Sequence, residues 1–192
     1  MQRAMRRLPA SVLALASLLA LLAPAAAPAR PRGSGPAACS SAHVAVHRAT
    51  IARARDATLC LLNRARARHG LPPLRTNPKL ARAARRHARD MVRRRYFSHD
   101  SLGGASAFDR ILRTHYAPRR SSWWLGENIG WGSLSRSQPA ALVRAWMHSP
   151  GHRANILSRR FREVGIGIAP GVPLRGQRLA GATYTTDFGQ HS

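Results

Sequence analysis

The length of 192 residues indicates one domain of ordinary size with an extra segment at one end. Its formal net charge is +25, and Lys79 is the only lysine among its 32 basic residues. This charge attracts polyanions and anionic membrane surfaces in a salt-dependent way. Because the arginines are scattered and form no zinc-finger or RNA-recognition pattern, we predict no specific nucleic-acid partner.

The N-terminal segment has the pattern of a secretory signal. Three arginines lie within the first seven residues, and the apolar run Val12–Leu22 is too short to span a bilayer. Small residues follow, with a cleavage motif at Ala27-Pro-Ala29. The alternative is an uncleaved membrane anchor, which the short run and the prolines disfavour. We therefore predict a signal peptide at 1–29 and a protein that is secreted or associated with the cell envelope.

Two cysteines, Cys39 and Cys60, are present in this exported chain. An oxidising compartment favours a disulfide between them, which would tie an N-terminal arm to the first helix. A reduced pair or a metal role is the weaker alternative, since the spacing matches no zinc pattern. We assign 30–52 to a Pro/Gly-rich linker and N-terminal arm, and 53–192 to the folded domain.

Two helices open the folded domain. The first has Leu59, Leu62 and Ala65 on one face and ends at Gly70. The second begins with Asn77 as N-cap and Pro78 at the first helical position. One face of the second helix is apolar and comprises Leu80, Ala83, Ala84, His87, Met91 and Val92. We predict that His87 is a hydrogen-bonded core residue rather than a ligand.

The remaining elements change from a helical to a strand pattern. A third helix begins at Ser106, a strand bounded by glycines covers Trp123–Trp131, and a fourth helix begins at Pro139. A Ser-Pro-Gly turn then leads into a short helix with His152 in its first turn. Alternating apolar residues at 164–168 and within 180–188 predict a β-hairpin. Helices followed by a hairpin indicate an α+β fold with an antiparallel sheet covered by helices.

Three residues are candidates for chemistry. His99 lies in the loop after the second helix, Glu127 lies between Gly126 and an asparagine, and His152 follows the rigid turn. Two histidines and a carboxylate can form a zinc shell or an acid/base set. The alternatives are surface histidines and a glutamate paired with one of the many arginines.

Several short motifs together resemble a known family. In chain order they are Asn63-Arg64, Gly70-Leu71-x-Pro73-Leu74, Phe97-Ser98-His99, Gly126-Glu127-Asn128-Ile129, Gly151-His152-Arg153-Ala154-Asn155-Ile156-Leu157, Val164-Gly-Ile-Gly167 and Tyr184-x-x-Asp187-Phe188-Gly189. They resemble the bacterial secreted branch of the CAP superfamily, also called SCP-like or sperm-coating-protein-like domains. The resemblance extends over about 53–189.

The resemblance implies a three-layer α-β-α sandwich with a central antiparallel sheet and a cavity lined by two histidines and two acidic residues. His99, Glu127 and His152 match three of these positions, and Ser149 occupies the fourth. His99 and His152 are then the residues expected to bind zinc or another divalent metal weakly. An acid/base mechanism that needs both carboxylates lacks one of them here. His148, beside Ser149, is a substitute that is expected to project in a different direction.

Four functions follow from these residues. The first is a non-enzymatic secreted domain that binds a small ligand, a lipid or an envelope component through the cavity. The second is a metal-assisted hydrolase in which Glu127 activates water, although the chain has no H-E-x-x-H motif. The third is a serine hydrolase using Ser149 or Ser101, without a G-x-S-x-G motif. The fourth is a basic protein that adheres to anionic cell-envelope polymers or lipid headgroups.

Overall fold

The computed structural model describes residues 38–117, 122–176 and 180–191. The predicted signal at 1–29 and the first part of the linker lie outside these residues. The elements within them are, in chain order, α1 (Ile51–Ala67), β1 (Arg75–Thr76), α2 (Pro78–Arg94), α3 (Ala107–Leu112), β2 (Trp123–Ser133), α4 (Pro139–His148), α5 (Pro150–Ile156), β3 (Glu163–Pro170) and β4 (Gly181–His191). Among these described residues, no helix is long and apolar enough to cross a membrane.

Four strands form one sheet in the order β1-β3-β4-β2. β3 pairs antiparallel with β4, which confirms the predicted hairpin, and β2 pairs antiparallel with β4 along its whole length. The two-residue β1 pairs parallel with β3 at the opposite edge, so the sheet is antiparallel in its three long strands only. β2 is therefore an edge strand.

Helix α2 packs on one face of the sheet at very short range. Its N-cap is Asn77, whose side chain accepts hydrogen bonds from the first-turn amides as predicted. The sheet presents Gly165 and Gly167 to this helix. A Cβ added at Gly165 would lie 2.0 Å from the backbone carbonyl carbon of Leu80, and one added at Gly167 would lie 2.2 Å from that of Ala84. The glycines of β3 thus allow the helix backbone to contact the strand directly.

The opposite face of the sheet holds the main hydrophobic core, where α1 packs on β3, and α4 packs on β2 and contacts Tyr184 of β4 through Trp146. Trp146 of α4 is 2% exposed, and its indole Nε1 donates to the Ile129 carbonyl at 3.0 Å. The larger apolar side chains of this cluster include Leu62, Leu142, Val164, Ile166, Ile168, Tyr184 and Phe188. With α2 and α3 on the other face, the chain forms the predicted α+β sandwich of three layers.

A buried arginine joins α1 to the end of α5. Arg66 is fully buried, and its guanidinium donates to the carbonyls of Ile156 at 2.8 Å and Phe161 at 3.1 Å. Further bonds reach the carbonyls of Pro72 and Ser158. Burial lowers the pKa of Arg66, and the positive charge of Arg162 lowers it further. Carbonyl oxygens rather than carboxylates therefore satisfy this cation.

The disulfide between Cys39 and Cys60 is present, which confirms that prediction. It attaches the segment before α1 to the middle of that helix. The same segment packs Val44 and Val46 against the main core. The arm therefore lies on the folded domain, and the disulfide fixes its start.

Candidate functional site

His99 and Glu127 are in direct contact. The His99 imidazole Nδ1 lies 2.8 Å from the Glu127 Oε1, and Arg110 of α3 donates to the other carboxylate oxygen at 2.6 Å. The Glu127 side chain is 2% exposed, whereas that of His99 is 55% exposed. Both oxygens of the buried carboxylate are thus engaged, and His99 extends from it toward solvent.

The pKa values of this pair reflect the contact. The hydrogen bond to Glu127 raises the pKa of His99, although burial opposes the rise. Burial alone would raise the pKa of Glu127, but the bond to His99 and the charge of Arg110 outweigh it and lower that pKa. The lowered pKa favours the ionised form of Glu127, and its carboxylate orients His99 through Nδ1.

A second carboxyl group lies beside Glu127. Asp187 of β4 is the cross-strand partner of Glu127 and is 1% exposed. Burial raises the pKa of Asp187 well above its usual range, and the negative charge of Glu127 and a hydrogen bond to it raise the pKa further. The raised pKa favours the protonated form of Asp187, because two adjacent buried carboxylates would repel each other if both were charged.

His152 lies at the start of α5, on the other helical layer. Its Nδ1 is 2.9 Å from the Ser149 hydroxyl, which occupies the position matched to a second acid. Burial lowers the pKa of His152, and the nearby charge of His99 lowers it further. Ser149 thus contacts Nδ1 of His152 as Glu127 contacts Nδ1 of His99, but without a negative charge.

Two asparagines fix α5 against β2. Asn128 donates to the His152 carbonyl at 3.1 Å, and Asn155 donates to the Asn128 side-chain oxygen at 2.8 Å. Asn155 also donates to the Glu127 carbonyl. The motifs around Glu127 and His152 are therefore hydrogen-bonded to each other, and this network sets the position of both residues.

A cavity of about 580 Å³ contains both histidines. His99 comes from the layer of α2 and α3, whereas Ser149 and His152 come from the layer of α4 and α5. These residues meet at the free edge of β2. Beyond this edge, the described residues form no further strand that would separate the two helical layers. The rest of the wall is mainly apolar and includes Phe97, Ile129, Trp131, Leu142, Ala145 and Trp146.

The two histidine rings differ in exposure, but among the described residues each leaves one ring nitrogen without a protein partner. Each ring has its Nδ1 in contact with a protein oxygen, which leaves Nε2 as the nitrogen available to a metal. Within the described part of the chain, no three His, Cys, Asp or Glu side chains lie close enough together to form a metal-binding group. Two histidines supplemented by solvent are fewer protein ligands than structural or catalytic zinc sites use.

The structure places the predicted residues unequally around the cavity. His99, Ser149 and His152 line it, whereas Glu127 lies buried behind His99. His148 contacts the Arg144 carbonyl and is not on the cavity wall. His87 is 1% exposed, with Nε2 at 2.9 Å from the Ser98 carbonyl, which confirms it as a hydrogen-bonded core residue.

Sequence reasoning missed two partners of Glu127. Arg110 is one arginine among many, and nothing in its local pattern distinguishes it. Asp187 does carry a signal, because an aspartate inside an alternating strand segment is unfavourable unless a specific contact compensates it. Its position opposite Glu127 depends on the β2–β4 register and could not be read from spacing.

Comparison with known proteins gives a consistent assignment. The model of the cysteine-rich secretory protein family, CAP, matches residues 59–178. The Bacillus subtilis (strain 168) protein described as uncharacterized protein YkwD is 34% identical over 121 residues, which are 63% of this chain and 44% of that protein. A solved extracellular protein containing an SCP domain, from Bacillus anthracis (strain Ames), is 29% identical with a TM-score of 0.54.

That structural match covers 72% of this chain and 43% of the Bacillus anthracis chain. An outer surface protein of Borrelia burgdorferi, 19% identical with a TM-score of 0.54, shares the fold over 68% of this chain and 87% of its own. The chain thus spans less than half the length of the two Bacillus proteins.

Proposed function

The chain belongs to the CAP family of cysteine-rich secretory proteins, and from this premise we propose that it is a binding domain acting outside the cytoplasm. The extracellular Bacillus anthracis neighbour, the disulfide and the predicted signal support this location. The net charge of +25 favours retention on anionic envelope polymers or lipid headgroups. The single observation that carries the proposal is the cavity shared by His99 and His152.

The cavity suits a small ligand with an apolar body and one polar group. Its volume lies within the range of ligand pockets, and its wall combines aromatic and aliphatic side chains with few polar groups. His99 and His152 would bind the polar group, either directly or through a divalent metal held by their Nε2 atoms. Such a metal would offer the ligand a Lewis-acidic contact.

Binding is favoured over hydrolysis by the state of Glu127. A general base needs an oxygen within reach of the water that it activates. Both oxygens of Glu127 are taken by His99 and Arg110, and the side chain is 2% exposed. Glu127 therefore acts as a positioning residue for His99.

A neutral apolar dye tests the cavity. We expect N-phenyl-1-naphthylamine to bind the oxidised protein saturably, with increased fluorescence. Ala145 is exposed on the cavity wall, so Ala145→Trp should fill the cavity without disturbing the core and weaken binding about tenfold or more. Ala52→Trp, an exposed site on α1 outside the cavity, is the control and should bind as wild type does. Equal dye binding by all three proteins would refute a ligand site in this cavity.

Zinc uptake tests the histidines separately. Calorimetry should show weak zinc binding by the wild-type protein and its loss in His99→Ala/His152→Ala. The control His43→Ala/His148→Ala removes two exposed histidines that do not line the cavity. Metal analysis of the same proteins gives an independent measure. Equal zinc uptake by wild type and the His99/His152 variant would sink the metal proposal and leave the dye test standing.

A further inference from the structure

A second cavity, of about 560 Å³, lies where α2, the 101–105 loop and α3 meet. Its wall is strongly basic and contains one acidic residue, Asp90. The six arginines of this cavity, called here the arginine cavity, are Arg86, Arg89, Arg93, Arg94, Arg110 and Arg113. A concave surface with charges of one sign concentrates the potential and favours an anion.

The few acidic groups nearby neutralise little of this charge. Asp90 accepts a hydrogen bond from the Tyr96 hydroxyl at 2.6 Å and lies at 3.7 Å and 3.8 Å from Arg93 and Arg94. Within the described residues, no carboxylate lies within 4.0 Å of the guanidinium groups of Arg86, Arg89 or Arg113. Several cations of the cavity are therefore available to a ligand.

Hydrogen bonds from Arg110 hold the floor of the arginine cavity together. Arg110 is bonded to Glu127, to the Ser101 hydroxyl at 3.2 Å and to the Ala105 carbonyl at 2.9 Å, so it fixes the loop to α3. His87 is 1% exposed, and its Nδ1 has no hydrogen-bond partner among the described residues. The exposed arginines of α2 and α3 surround this floor from two sides.

We propose that the arginine cavity binds phosphate groups of an anionic ligand. A guanidinium forms paired hydrogen bonds to phosphate oxygens, and a tetrahedral phosphate has enough oxygens to engage arginines from α2 and α3 together. The volume is sufficient for a compound or polymer segment with more than one phosphate. The phosphate source is either a soluble or polymeric phosphate compound or a lipid headgroup.

The site is separate from the histidine cavity, since no residue lines both. Only the extracellular setting rests on the proposed function. Phosphate binding should therefore persist in Ala145→Trp and in His99→Ala/His152→Ala. If those variants lose dye or zinc binding but still bind phosphate, the two binding sites are independent of each other.

Pyrophosphate is the first probe, titrated by calorimetry into the full, oxidised protein at physiological salt. We expect one saturable site in wild type and a loss of affinity of about tenfold or more in Arg86→Gln/Arg113→Gln. The matched control Arg53→Gln/Arg82→Gln removes the same charge from exposed arginines outside the cavity and should stay within about twofold of wild type. Circular dichroism confirms that both variants are folded.

Vesicles identify the phosphate source. Co-sedimentation with phosphatidylglycerol in phosphatidylcholine should fall much further in Arg86→Gln/Arg113→Gln than in the control if a headgroup occupies the cavity. Equal small losses in both variants, with the pyrophosphate difference intact, assign the cavity to a non-lipid phosphate. Equal effects of the two variants on pyrophosphate and on vesicles, or no saturable pyrophosphate binding, would overturn the proposal.

Discussion

At the residue scale, the Glu127 carboxylate has three polar neighbours with different roles. Arg110 supplies a positive charge and bonds to one oxygen, His99 bonds to the other, and Asp187 lies opposite on the neighbouring strand with its pKa raised. Burying an isolated carboxylate is costly, and these contacts offset that cost. Asp187 is neutral because a second negative charge beside Glu127 would be repelled.

The protonated state of Asp187 gives stability a definite pH dependence. Its folded-state pKa is raised, so below about pH 4 it is protonated in both states. As the pH rises above that value, the unfolded chain loses this proton while the folded protein keeps it. Wild type should therefore lose stability relative to Asp187→Asn by about 1.4 kcal/mol per pH unit, up to the folded-state pKa.

Urea denaturation of both proteins at several pH values between 4 and 7 measures this difference. Asp100→Asn, at an exposed aspartate, is the control for removing one carboxylate and should follow wild type. A constant difference between wild type and Asp187→Asn across the pH range would show that Asp187 is ionised in the folded protein.

The candidate residues His99, Glu127 and His152 were identified because they match motif positions of the family resemblance, since their spacing in the chain does not by itself bring them together. Gly126-Glu127-Asn128 and the turn before His152 constrain the backbone at each residue. The partners were not predictable, because Arg110 and Asp187 reach Glu127 only through tertiary packing and strand register. Ser149 contacts His152, which lies only three positions away in the chain. The hydrogen bond between the two side chains is nevertheless visible only in the structure.

At the element scale, contact between α2 and β3 depends on the two glycines of the strand. Gly165→Ala would place a Cβ 2.0 Å from the Leu80 carbonyl carbon, so the helix must move away from the sheet. We expect a loss of about 3 kcal/mol in the free energy of unfolding. Gly151→Ala is a matched control in α5, where a new Cβ meets nothing within 4 Å.

The control should gain up to about 1 kcal/mol, because alanine favours helix over glycine. Urea denaturation of the two variants and wild type provides the comparison. Equal stability of Gly165→Ala and wild type would mean that α2 does not pack on β3 as closely as described.

Helices were more predictable than strand limits. Asn77 and Ser106 are caps with a local chemical signal, and both begin helices. The strand predicted at Trp123–Trp131 continues to Ser133, because its pairing with β4 extends that far. The sequence does not mark this end, because the glycines of the segment have no side chains that could show an alternating pattern. β1 was not predicted, since two polar residues have no strand pattern and pair only because β3 lies beside them.

At the scale of the whole molecule, the disulfide stabilises the attachment of the N-terminal arm. Cys39 and Cys60 are separated by 21 positions, and removal of such a cross-link costs about 3 kcal/mol by restoring freedom to the unfolded chain. Cys39→Ala/Cys60→Ala should show this loss in urea denaturation, and reduction of wild type should reproduce it. Two free thiols titrated in the unfolded, non-reduced secreted protein would contradict the disulfide.

The three-layer arrangement was implied by the family resemblance, and the structure agrees with it. Composition and periodicity alone gave an α+β class but did not place α2 and α1 on opposite faces of the sheet. That assignment depends on which side of β3 carries glycine and which side carries Val164, Ile166 and Ile168. The residue types at alternate positions become informative only when the packing partner of each face is known.

The buried guanidinium of Arg66 forms contacts that do not depend on acid or salt. Ion pairs weaken when carboxylates are protonated or when salt screens exposed charges. Arg66 instead bonds to four backbone carbonyls, which take up no proton in this range and are shielded from ions by burial. The end of α5 and the turn before His152 therefore keep this anchor when the medium is acidified or its salt concentration rises.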